Sequence, residues 1–166
     1  MAQTPNILTK FLLGSVASFF IGTMHGMLQV MPGVRQWLDS VGSPYGGPGH
    51  MIDPLAHAHM NLVGGVVLLA MGVTYYLLPI LSGRQVYSAR LVNLTFWLTG
   101  AGAWAFYAVQ MVFGIWEGSL MHSAPEGITG VHRYYVPFVA VSANIMAAGF
   151  VCYLVNIGFS MRRPRA

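Results

Sequence analysis

Asp53-Pro54-Leu55-Ala56-His57-Ala58-His59-Met60-Asn61-Leu62-Val63-Gly64-Gly65 opens a run that stays apolar as far as Leu81. Asp53 has the side chain of a helix N-cap, and Pro54 suits the first helical position. The run Leu55–Leu81 exceeds the ~20 residues that cross a bilayer as a helix. A transmembrane helix is therefore predicted, with two histidines near its start. Successive helical residues turn by about 100°, so His57 and His59 point to opposite sides of the rod. They do not converge on one ion; each serves a partner on its own side.

Three further runs flank this one: Phe11–Met31, Leu91–Trp116 and Tyr134–Met161. The 166-residue chain is 55% hydrophobic and only 7% charged, against about a quarter charged in soluble domains. The expected fold is an all-α membrane protein, a four-transmembrane-helix bundle forming a single domain over residues 1–166. The first run is longer than a signal-peptide h-region and carries His25, so it is expected to remain in the mature protein. Pro32 is expected to end it, and the Gly/Pro-rich stretch Gly42–Gly49 to form turns. The short stretch Ser82–Ser88 makes the second and third spans antiparallel neighbours, and Gly118–Thr129 is expected to be a loop.

Charge sets the expected topology. Lys10, Arg84, Arg90, Arg162, Arg163 and Arg165 lie at one set of span ends, with only Arg35 and Arg133 in the other two loops. The four acids, Asp39, Asp53, Glu117 and Glu126, fall in those same two loops or at their helix ends. Both termini are then expected in the cytoplasm, N-in and C-in, of a bacterial inner membrane. Trp116, Tyr134 and Tyr135 suit an aromatic belt on the outer side. The net charge of +4 reads as a basic tail beside anionic lipid and calls for no nucleic acid. Cys152 is single, and no Cys-x-x-Cys-His attaches haem covalently.

All six histidines fall toward the outer side. His25, His57 and His59 lie within apolar runs, where an ionisable group is costly and a functional role is the default reading; His132 opens the last span. Zinc wants four converging ligands, which the opposed pair does not offer. Copper would use His with Met, yet the methionines read as packing. Haem b fits best, since it needs axial imidazoles, an apolar slot and small residues beside the ring.

The stretch Asp53–Gly65, with Gly72-Val73-Thr74-Tyr75-Tyr76-Leu77-Leu78-Pro79, Leu91–Leu98 and Gly114–Met121, resembles the tenth and eleventh helices of the haem-copper oxidase catalytic subunit. The resemblance is to the cbb-type oxidases first and the nitric oxide reductases next. It covers most of this chain but only the last third of that subunit. It implies that His57 binds the high-spin haem and His59 the low-spin haem. The family's other low-spin ligand and its three-histidine copper cluster lie on earlier helices, and this sequence carries no such cluster. His25 is accordingly expected to pair with His59 across one haem b. His57 is expected to face a second haem, with His132, or less favourably His122, opposite.

The expected function is a haem b electron-transfer subunit of a respiratory complex. It would pass electrons between quinol, or another membrane component, and a c-type cytochrome or other periplasmic redox partner. Asp53, Asn61, Arg133 and Tyr135 are the candidate supporting residues, with Arg133 directed at a haem propionate. Two alternatives stand beside this. One is a haem enzyme binding nitric oxide or oxygen at an open axial site; the other is a non-redox assembly or structural subunit.

Overall fold

A computed structural model describes residues 4–165. Every regular element among them is helical. Helix α1 spans Thr4–Gln29 and α2 spans Pro32–Ser40. Helix α3 is a kinked rod over Gly47–Ser82. Helix α4 covers Ala89–Ser123, and a 3-10 turn at Pro125–Gly127 leads into α5, Ile128–Arg162. Helices α1, α3, α4 and α5 each hold a segment long and apolar enough to cross a membrane. Their outward positions are apolar too; Leu13, Phe20, Phe138 and Leu154 are each more than half exposed, as lipid-facing side chains are.

Several boundaries differ from the sequence expectation. Helix α1 stops at Gln29, just ahead of Pro32 as expected, but Pro32 also opens a further helix: it occupies the first turn of α2, where its missing N–H costs no hydrogen bond. Arg35 and Asp39 pair along α2 at i,i+4, with Arg35 Nε 2.9 Å from Asp39 Oδ1. The expected loop Gly118–Thr129 is mostly helix, because α4 continues to Ser123 and α5 begins at Ile128. Helix α3 starts earlier than Asp53, with a helical turn at Gly47–His50. Asp53 itself is extended (φ −129°, ψ 111°), the conformation forced on a residue before proline. It therefore kinks the rod. Its carboxylate accepts hydrogen bonds from Arg35 and Ser43 at 2.7 and 3.0 Å.

Beyond the kink, one α-helical turn, His57–His59, leads into π-helical geometry over Met60–Val67. Such widenings re-aim side chains and cluster at functional sites. This one follows directly on the two histidines.

Glycines set the α1–α3 register. A Cβ on Gly72 would lie 2.6 Å from Phe11, one on Gly64 2.7 Å from the Ser18 hydroxyl, and one on Gly26 2.9 Å from His57 Nε2. Asn61 sits over Gly22 in the same way. Positions rise along α1 as they fall along α3, so the two helices run antiparallel with backbones in close approach, as small residues allow in lipid. Helices α4 and α5 pack likewise through Gly102 against the Met146 backbone and Gly149 against Thr99. At the terminal end of the bundle, Phe11, Leu68, Met71, Tyr75 and Val92 form a buried core, with Phe150 and Tyr153 packed on it.

The α3–α4 connection is held from α5. Asn156, fully buried, accepts from the Ser88 N–H and donates to the Ser88 carbonyl, both at 3.0 Å. Ser160 accepts from the Tyr87 N–H at 2.8 Å, and Arg163 donates to the Tyr87 carbonyl at 3.0 Å. An Asn156→Ala variant strands the Ser88 N–H, while the Ser88 carbonyl keeps the Val92 N–H at 3.1 Å. At about 1–3 kcal/mol for an unsatisfied group, it is expected to lose about 1–3 kcal/mol in denaturant titration in detergent micelles. A loss below about 0.5 kcal/mol would mean that water replaces the amide without cost.

Candidate functional site

His59 is set up as a ligand. Its Nδ1 lies 2.9 Å from the carbonyl oxygen of Leu55, one turn back. A carbonyl only accepts, so Nδ1 carries the proton and Nε2 keeps its lone pair, the tautomer of an imidazole that binds metal through Nε2. The ring faces α4, where Phe106 lies 4.4 Å away between centroids at 32°. His59 is half-buried, and its neighbours Ala58 and Leu62 are exposed, so this flank opens toward the bilayer.

His57 leaves α3 on the opposite side and lies on α1. Its Nε2 rests over Gly26, and its ring centre is 5.6 Å from that of His25, at 60°. His25 is 6% exposed. Its Nε2 is 3.0 Å from the Gln29 amide nitrogen, while its buried Nδ1 has no hydrogen-bond partner. Tyr107 meets the same ring edge-on at 5.6 Å. The packing thus brings His25 to His57, where the sequence reading paired it with His59.

His132 is drawn elsewhere. Its Nδ1 lies 3.1 and 3.2 Å from the two carboxylate oxygens of Glu117. Glu117 is 2% exposed, so the half-exposed imidazole covers a buried carboxylate instead of reaching His57. The Tyr135 ring packs against His132 at 5.2 Å, tilted by 41°, and its hydroxyl donates to Gln110 Oε1 at 2.9 Å. His122 meets Ser40 at 3.0 Å at the exposed rim.

The other candidate residues also take definite positions. Asn61 donates to the His57 carbonyl at 3.2 Å, pinning the turn that carries both histidines. Asp53 is neutralised by Arg35. Hydrogen bonds to Asp39 first and Asp53 second push the Arg35 guanidinium further above its ordinary range. Arg133 is exposed and lies over the Tyr134 ring at 5.2 Å. Arg35, Gln29, Phe106 and Glu117 are the site neighbours that sequence reasoning missed. The i,i+4 spacings Arg35/Asp39 and His25/Gln29 were the available signals.

The two flanks fit a flat macrocycle differently. At His59 a free Nε2, an aromatic neighbour and an open apolar side are compatible with haem. At His57 the Nε2 is already 2.9 Å from where a Gly26 Cβ would stand. A ring system needs about 3.5–4.0 Å of contact distance on each face, so it enters there only if α1 leaves α3.

Fold and site together define a four-span membrane protein with imidazoles aimed from one helix to opposite sides. The family model for cytochrome c and quinol oxidase polypeptide I matches residues 2–152, and the chain belongs to that family, a membrane-bound respiratory family whose members bind haem. It is 27% identical over 159 residues, 89% of its length, to the cbb3-type cytochrome c oxidase subunit CcoN1 of Stutzerimonas stutzeri. It is 31% identical over 145 residues, 78% of its length, to cytochrome c oxidase subunit 1 of Rhodobacter capsulatus. With a cytochrome c oxidase subunit 1 homolog of Agrobacterium tumefaciens it shares 36% identity over 93 residues, 49% of its length. It covers 31%, 26% and 17% of these three relatives, so it spans under a third of each.

Proposed function

We propose that this chain is the haem b-bearing electron-transfer part of a respiratory complex in a bacterial inner membrane, and that His59 supplies an axial nitrogen. The observation that carries this reading is the fixed tautomer of His59, with Nδ1–H held by the Leu55 carbonyl and Nε2 free on an apolar, open flank. The haem supplies one-electron chemistry. The chain supplies the imidazole orientation, an apolar surrounding and the pinned turn through Asn61. The relatives are some three times longer, and the second axial ligand comes from chain outside these 166 residues. The positive-inside pattern supports cytoplasmic termini and a periplasmic histidine end. A c-type cytochrome or similar carrier is then the outer redox partner, with quinol as the membrane donor.

Carbon monoxide difference spectroscopy tests the role on protein purified from its native membrane with its bound partners. Electron transfer through a haem closed on both faces gives haem b by pyridine haemochrome assay and no carbon monoxide shift. A strong shift assigns an open axial position and a gas-binding enzyme instead. Absence of haem leaves an assembly or structural role.

A further inference from the structure

The haem reading leaves the terminal end of the bundle unused. We infer that a groove there binds one anionic phospholipid, with an acyl chain along α1 and α3 and the headgroup met by Arg84 and Arg90.

The groove follows from packing. Phe11 turns inward, edge-on to Tyr75 at 6.0 Å and to Phe96 at 5.2 Å between centroids. Gly72, in close approach to it, brings no side chain to the contact. The outward sides of the two helices are left with an apolar cavity of about 590 Å³, whose walls include Leu12, Leu69, Val73, Tyr76 and Ile80. Ligand sites run to ~300–1,000 Å³. From Leu69 to Ile80 a helix rises about 16 Å, close to half of the ~30 Å hydrocarbon core. The cavity is thus as long as one leaflet's hydrocarbon is deep. A second cavity of about 180 Å³ continues it, sharing Leu8, Tyr75, Pro79 and Gln85 and reaching Val86 and Ala89 where the chain enters α4.

Charge specifies the other end of the occupant. Lys10, Arg84, Arg90, Arg162, Arg163 and Arg165 gather at this end, and all four acidic side chains lie at the other. Lys10 is taken by Asn93 and the Phe96 ring, and Arg163 by the Val86 and Tyr87 carbonyls. Arg84 and Arg90 adjoin Gln85 and Ala89, which line the second cavity. The Nε of Arg84 donates to the Arg163 carbonyl at 2.8 Å, which holds the guanidinium at the connection. Among the described residues, no hydrogen bond or ion pair engages its two terminal nitrogens or Arg90. Guanidinium groups pair phosphate oxygens bidentately, and basic pockets between membrane helices at the surface bind anionic lipid heads. A neutral lipid or a quinone brings no charge to this rim, and free phosphate leaves the apolar cavity unfilled. The proposal goes beyond the haem reading and does not depend on it.

The test immobilises the purified protein in neutral detergent and measures retention of radiolabelled phosphatidylglycerol and phosphatidylcholine with identical acyl chains. One phosphatidylglycerol per polypeptide is expected, held at least about tenfold more tightly than phosphatidylcholine, at about fivefold per arginine. Molar salt, which needs no variant, is expected to erase that preference, and so is the Arg84→Gln/Arg90→Gln double variant. Val73→Trp fills the cavity and is expected to lower retention of both lipids at least about fivefold. Leu13→Trp, at a lipid-facing position outside the cavity, leaves retention unchanged. Equal retention of the two lipids, a preference that survives salt or the arginine variant, or equal effects of the two tryptophans overturns the site.

Discussion

Replacing His59 with alanine removes haem from the purified protein. The Soret absorbance per polypeptide is expected to fall at least about tenfold, since an axial bond is worth more than the supporting contacts whose loss already costs 10–100-fold. The fold survives. His59 is half-buried and its ring lies on Phe106 at the edge of the bundle, so circular dichroism and the unfolding midpoint move little. His57→Ala, on the α1 side, keeps the Soret band. If haem stays in the His59 variant and leaves in the His57 variant, the axial role belongs to the α1 side, and α1 must part from α3 when haem is loaded.

The second large effect is on packing. Gly102→Ala places a methyl group 2.5 Å from the backbone nitrogen of Met146 and 2.6 Å from its Cα. Neither is the end of a flexible side chain, so α4 and α5 must move apart along their contact. Overpacking costs about 1–3 kcal/mol where side chains can yield, and the expected loss here is at the upper end, about 3 kcal/mol. Gly158→Ala is the matched control. It meets nothing within 4 Å, and the better helix propensity of alanine makes it neutral or stabilising by up to about 1 kcal/mol. Denaturant titration of the two variants in the same micelle reads the difference. Equal midpoints would mean that the α4–α5 contact adapts freely.

The spans were legible because apolar length is a one-dimensional property, and so were the opposed directions of His57 and His59, which follow from the turn per residue. What those histidines touch depends on register between helices, which no single run encodes. His25 lies level with both histidines of α3, but His57 is the one that faces α1, and the Gly22 and Gly26 approach sets His25 beside it. Read together with Asn61 and His57, which share their i,i+4 spacing, those two glycines carried that register in the sequence. His132 is the histidine that opens the last span and so the expected ligand opposite His57; its Nδ1 lies instead beside Glu117, fifteen positions back across the α4–α5 turn. Helix α2 was hidden by its brevity and by Gly33 near its start, although Pro32 and the Arg35/Asp39 pair mark it. Asp53 had the right residue type for a cap, but proline after it dictated the kink, and Arg35 and Ser43 took the carboxylate.

The clasp that α5 makes on the α3–α4 connection has a consequence for biogenesis. The Tyr87 and Ser88 backbone groups find their partners at Asn156, Ser160 and Arg163, 68 to 76 positions further along. The α3–α4 hairpin leaves the ribosome ahead of those residues. Its turn meets these partners only when the last span is in place, so the last helix completes the hydrogen bonding of a connection made earlier in the chain.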